Sequence, residues 1–148
     1  VPKIERRAEA VWEGNVARGS GRLSAVSSGA FDALGYDLPR RIGDPEGKTS
    51  PEELLAAAHA GCFAMSLAGE LTRREAPPQR LEVKVTCVVD EVAGQGHLVV
   101  HSHVDVAAAA TGIEDAAFQA AVAAADAGCT LSSLIRGSAE VSVSARLV

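Results

Sequence analysis

The chain has 148 residues, 47% of them hydrophobic and 22% charged, with a formal net charge of -5. That balance is the one expected of a single soluble domain spanning 1–148, and it excludes a disordered chain. The acidic sign and the dispersed Lys and Arg residues exclude a nucleic-acid-binding role, which needs a basic stripe. Aromatics make up only 3%, so the core has to be built from Ala, Val and Leu, which favours close backbone packing and argues for a homodimer. The three cysteines, Cys62, Cys87 and Cys129, are widely spaced and contain no C-x-x-C. This usage fits a reducing, cytoplasmic setting better than a disulfide scaffold, and residues 1–7 show no signal or transit pattern.

Residues 8–15 carry a strand-like Ala-Val-Trp-Glu followed by a Gly14-Asn15 turn, and residues 16–26, with Gly19 and Gly21, complete a glycine-rich β-hairpin. Residues 27–49 are punctuated by Gly29, Gly35, Pro39, Gly43, Pro45 and Gly47 and read as one long loop carrying Arg40 and Arg41. A helix then starts sharply. Ser50 is the expected N-cap, Pro51 suits the first helical position, and Glu53 completes a capping box. Residues 54–69 contain no charge and many small side chains, so other elements can approach on every side and the helix is expected to be buried. The run reads as too short and too rich in Ala and Gly for a bilayer span, and Glu70, Arg73, Arg74 and Glu75 close it before Pro77-Pro78.

Residues 81–89 alternate apolar and polar, with Cys87 on the apolar face. Gly94 and Gly96 mark a turn, and residues 97–107 repeat the alternation with Leu98, Val100, Ser102, Val104 and Val106 on one side. Ala117, Phe118, Ala121, Val122 and Ala125 have helical spacing up to Gly128, a C-cap just before Cys129. Leu131, Leu134 and Ile135 form a short helical turn ended by Gly137, and residues 139–147 close the chain as a strand with Val141, Val143, Ala145 and Leu147 inward. Strands grouped into antiparallel hairpins, with helices between them and no βαβ alternation, give an α+β fold.

Cys62, mid-helix, and Cys129, past a helix C-cap, are the sharpest chemical features. A free cysteine is commonly just a small buried hydrophobe, and Cys87 is read that way. Lys48-Thr49-Ser50-Pro51-Glu52-Glu53-Leu54, followed by Ala57-Ala58-His59-Ala60-Gly61-Cys62-Phe63, resembles the central helix motif of the OsmC/Ohr family of thiol-dependent peroxidases. Trp12-Glu13-Gly14, Arg40-Arg41-Ile42 and Ala127-Gly128-Cys129 extend the resemblance over nearly the whole chain, and His59 together with the Trp-Glu-Gly start resembles the OsmC branch. The resemblance implies an intertwined α+β homodimer that reduces organic hydroperoxides, and hydrogen peroxide less efficiently, in oxidative or osmotic stress defence. It implies Cys62 as the peroxidatic thiol, Cys129 as the resolving thiol, and Glu52 with an arginine as polar partners. Arg41 is taken as that arginine ahead of Arg40, with Arg18 in the hairpin as a further candidate. The implied partners are a hydroperoxide and a dithiol reductant, a lipoyl-type dithiol among them, with no cofactor, metal, nucleic acid or membrane.

A thiol with an ordinary pKa near 8.5 is only a few per cent ionised at neutral pH, and burial lowers that fraction. Lowering the pKa by two units takes roughly 2.7 kcal/mol, which a poorly solvated arginine held by Glu52 is expected to supply. Glu52 lies ten positions before Cys62, roughly 15 Å along a straight helix, so the two cannot meet on that helix alone. The rival readings are a zinc or copper site from His59, Cys62, His101 and His103, a Cys-His hydrolase using Cys62 and His59, and a non-enzymatic protein holding an apolar ligand. Leu54, Leu55, Phe63, Met65, Leu67, Leu131 and Leu134 are expected to form an apolar wall around Cys62.

Overall fold

The computed structural model of the chain describes residues 2–148, which gather into two compact units, one running to Pro51 and the other from Glu52 to Val148. The first contains β1 (Glu9–Glu13), β2 (Ser20–Ser24) and β3 (Leu34–Tyr36), an antiparallel sheet in that order, followed by the short helix α1 (Leu38–Ile42). The β1–β2 pair is the expected hairpin, and Gly14 takes a φ of 94° in its turn. Gly21 lies between Trp12 on β1 and Tyr36 on β3. A Cβ at this position would sit 2.4 Å from the Tyr36 ring, so glycine is what lets the two rings approach to 5.6 Å between centroids.

Residues 27–49 depart from the loop reading, because they contain β3 and α1. The helix is too short to show a periodicity, and its start is set instead by a cap: the Asp37 carboxylate accepts the Arg40 amide at 3.0 Å, with Pro39 in the first turn. That amide holds the Asp37 carboxyl below the usual carboxylate range against the opposing effect of burial, and Lys48 and the Arg40 guanidinium add to it.

The second unit contains α2 (Pro51–Arg73), β4 (Arg80–Val92), β5 (Gly96–Ala109), α3 (Asp115–Gly128), α4 (Thr130–Arg136) and β6 (Glu140–Leu147). Its sheet runs β4-β5-β6. β4 and β5 pair antiparallel as expected, with an irregularity between Val88 and Val89. β6, however, pairs parallel to β5, which corrects the expectation of no βαβ unit. Apolar alternation is blind to strand direction, and α3 with α4 supplies the long crossover that a parallel neighbour requires.

The core of this unit lies where one face of β5 (Val104, Val106, Ala108) meets Phe63, Leu67 and Leu71 of α2 and Phe118, Ala121, Val122 and Ala125 of α3. Helices gathered with a mixed sheet, antiparallel at β4–β5 and parallel at β5–β6, make it α+β. Pro51 does open α2, Glu52 and Glu53 occupy its first turn, and Arg73 its last, the charge order that suits a helix dipole. Burial of α2 within this chain is confined to one stripe, His59, Phe63, Leu67 and Leu71, while Met65 is 80% exposed. By length and composition α2 is apolar enough to cross a membrane, so the reading of it as too short is corrected; the core helix of a soluble protein passes the same test.

Candidate active site

Cys62 and Cys129 are brought together by the corner between α3 and α4. The helical pattern through Ala125 ends at Gly128, Cys129 is extended with φ -79° and ψ 117°, and its thiol takes the N-cap place of α4 by accepting the Ser132 amide at 3.4 Å. This turn puts the first residues of α4 over the middle of α2. Thr130 Oγ1 lies 3.5 Å from Cys62 Sγ. Partial burial opposes ionisation of Cys62, but hydrogen bonds to its sulfur from the Leu131 amide, the Thr130 hydroxyl, the Cys129 side chain and the Thr130 amide outweigh it and hold the thiol below its ordinary value. The sequence reading gave this task to an arginine. Unpaired amides at the start of a helix, aimed at a sulfur, also stabilise a thiolate, and the spacing of residues along the chain does not reveal them.

The two cysteines are both free thiols, Cys129 buried and Cys62 partly buried. Cys87 stands apart. Burial first, and then the Glu52 carboxylate, push its thiol up, which leaves it a weak nucleophile. Glu52 therefore sits near Cys87, in the first turn of α2 and ten positions from Cys62.

His59 is completely buried, and both of its ring nitrogens are used: Nδ1 lies 2.7 Å from Ser102 Oγ and Nε2 2.7 Å from Ser132 Oγ. Burial pushes its pKa down, while Asp126 and Arg136 act in opposite directions. A ring held in this way is not poised as a base for Cys62, which removes the support for a Cys-His hydrolase. His101 and His103 both reach Ser142 Oγ, at 2.7 and 2.6 Å, on the other face of the sheet. Among the described residues no cluster of three or more His, Cys, Asp or Glu side chains is arranged to hold a metal. The drawn zinc or copper set is not assembled.

The candidate arginines belong to the first unit. Arg40 is committed to Asp37 and Glu46, at 3.4 and 3.0 Å. Arg41 lines a cleft of about 320 Å³ with Trp12, Val16, Tyr36, Asp37 and Leu38. Arg18 lies in the turn after β1, where its amide donates to Asn15 Oδ1. The expected apolar wall is corrected in part: Phe63 and Leu67 are 0% exposed core residues, whereas Met65 and Leu134 face outward. All four are apolar, and only packing separates core from surface.

Residues 43–144 match the family model described as OsmC-like protein. The chain is 31% identical over 133 residues to Peroxiredoxin OsmC of Escherichia coli, a match covering 90% of this chain and 91% of that protein, and it is equally similar to the Shigella flexneri protein of the same name. Among solved structures it resembles an organic hydroperoxide resistance protein OsmC from Legionella pneumophila, with a TM-score of 0.71 at 24% identity over 97% of this chain and 98% of that one. It also resembles the organic hydroperoxide resistance protein OhrB of Bacillus subtilis, with a TM-score of 0.70 at 21% identity over 95% and 98%. At these identities the structural likeness speaks to the fold. The match over residues 43–144 and the identity to the Escherichia coli protein carry the conclusion that the chain belongs to the OsmC-like family.

Proposed function

We propose that the protein is a cysteine-dependent peroxidase that reduces organic hydroperoxides. The observation that carries the reading is the turn at the start of α4, which sets Thr130 Oγ1 3.5 Å from Cys62 Sγ and the Ser132 amide 3.4 Å from Cys129 Sγ, with Cys62 held below its ordinary pKa. The names of the relatives, a peroxiredoxin and organic hydroperoxide resistance proteins, support it.

The Cys62 thiolate attacks the outer oxygen of a hydroperoxide, an S–O bond forms as the O–O bond breaks, and the departing alkoxide takes a proton to leave as an alcohol. Cys62 is then a sulfenic acid. The Cys129 sulfur attacks it, hydroxide leaves and is protonated to water, and a Cys62–Cys129 disulfide remains. A dithiol reductant, of which the lipoyl type is one class, returns both thiols by two exchange steps and is itself oxidised to a disulfide. Arg41 and Glu52 keep the roles implied by the resemblance, a cation for the peroxide oxygens and the carboxylate that holds it. The protein works as a homodimer in a reducing compartment such as the cytoplasm. The outward apolar side of α2, with Met65, supports the dimer.

A peroxide with a hydrocarbon tail gains about 0.8 kcal/mol per methylene moved from water onto an apolar surface, and hydrogen peroxide has no carbon to bury. Turnover with tert-butyl or cumene hydroperoxide against hydrogen peroxide, driven by a panel of dithiols, is the test. Higher kcat/KM for the organic substrates, with complete loss in Cys62→Ser, is expected. Equal efficiency with hydrogen peroxide would remove the substrate assignment, and activity persisting in Cys62→Ser would remove the mechanism.

A further inference from the structure

The buried stripe of α2 is apolar except at its first residue. His59 stands where Phe63, Leu67 and Leu71 continue at intervals of four, and the buried face of β5 is likewise apolar except at Ser102. Ser132 of α4 completes a polar layer in which His59, Ser102 and Ser132 are all at most 1% exposed. A buried polar group without partners destabilises a fold, and one with directional partners fixes the relative placement of the elements that carry them. Here the partners are complete, with two contacts of 2.7 Å to the two ring nitrogens. A neutral imidazole donates through one nitrogen and accepts through the other, so one serine accepts and the other donates. The ring therefore ties α2 to β5 on one side and to α4 on the other.

The tie meets α4 at a consequential residue. Ser132 also gives its amide to Cys129 Sγ at 3.4 Å, and two residues before it Thr130 Oγ1 lies 3.5 Å from Cys62 Sγ. The hydroxyl bonded to His59, the amide facing Cys129 Sγ and the hydroxyl facing Cys62 Sγ thus lie within three consecutive residues of one helical turn, 130–132. A slip of that turn moves both sulfurs' partners together.

We propose that His59 is a positioning residue: through Ser132 it holds the first turn of α4, and with it Cys129 and the donors that face Cys62, in register with α2. The inference deepens the peroxidase reading, on which it rests for its functional meaning, but its test needs no peroxide. Ser102→Ala is the deciding variant, because that hydroxyl bonds His59 and its strand carries neither cysteine of the pair. Site-resolved alkylation of Cys62 with iodoacetamide across pH 5–10, read by peptide mass, gives the titration midpoint of that thiol. Ser102→Ala and Ser132→Ala should each raise the midpoint by about half a unit, roughly a threefold slower alkylation below it. The double variant should rise no further than the larger single shift, as expected of residues acting through one intermediary. His59→Gln, which keeps a donor and an acceptor, should fall between wild type and the alanine variants and serves where an alanine variant does not fold.

A merely structural role would lower the melting temperature of Ser102→Ala and leave the Cys62 midpoint where it was, and that result would overturn the proposal. Wild-type turnover, measured separately, distinguishes the two readings. Shifted midpoints in a protein that consumes no peroxide would leave the positioning role standing and end the peroxidase assignment. Normal turnover with unmoved midpoints would do the reverse.

Discussion

The Thr130 hydroxyl lies 3.5 Å from Cys62 Sγ and its amide adds to the lowering of the Cys62 pKa, and two substitutions separate the two donors. Thr130→Val keeps the branched shape and the amide and removes only the hydroxyl. A hydrogen bond to a charged group is worth about 1.5–3 kcal/mol when short and enclosed. This one spans 3.5 Å at an exposed residue, so about 0.7 kcal/mol is a fair discounted figure, or about half a unit in the Cys62 pKa at 1.36 kcal/mol per unit. Thr130→Pro removes the amide as well and should raise the pKa by about one unit, lowering the thiolate fraction about tenfold at any pH well below the midpoint. Proline fits here. Thr130 is the first residue of α4, where proline is favoured, and Cys129 has the extended ψ of 117° that a residue preceding proline needs. The gain of about 0.4–1 kcal/mol from stiffening the unfolded chain is offset by losing the amide's contact with Cys62, so stability should change by less than about 1 kcal/mol. The assay is the pH dependence of Cys62 alkylation beside a thermal melt of each variant. A proline variant that melts normally with an unmoved midpoint would refute the assignment of these donors, and one that melts several degrees lower would refute the account of how α4 starts.

His59 has a depressed pKa in the fold, so the unfolded chain binds more protons in the window below the ordinary histidine value of about 6.5. The stability it contributes is present above that value and is lost as pH falls through the folded pKa, with a slope of at most about 1.4 kcal/mol per pH unit. Urea unfolding at successive pH values should show this loss, and His59→Gln should flatten it. Cys87, whose thiol is pushed up by burial and Glu52, should stay reduced after one equivalent of organic peroxide while Cys62 and Cys129 bridge, and Cys87→Ser should keep turnover within about twofold; peptide mapping that finds a bridge to Cys87 would count against the two-cysteine cycle. Met65→Glu, placing a charge on the exposed apolar side of α2, should weaken self-association by about 30-fold, the equivalent of roughly 2 kcal/mol of lost apolar burial, as read by sedimentation.

Local order was readable from the chain wherever one residue pattern admits one structure. Pro51 with its paired glutamates marked the start of α2, the 3.6-residue spacing from Ala117 to Ala125 marked α3, Gly128 put Cys129 at a helix boundary, and alternation gave β4, β5 and β6. Motif resemblance supplied the family, which the match over residues 43–144 bears out. Three matters were decided only in three dimensions. The direction of β6 was one, since alternation is identical in parallel and antiparallel strands. The division of apolar side chains between core and surface was another: Phe63 and Met65 are two residues apart on one uncharged stretch of α2, and what packs against each face separates them. The third was the source of the thiolate's stabilisation. The donors around Cys62 are largely backbone amides and a hydroxyl from residues 68 and 69 positions away in sequence. Every residue but proline carries an amide, so only the turn at Cys129 and the anchored first turn of α4 determine which amides face the sulfur.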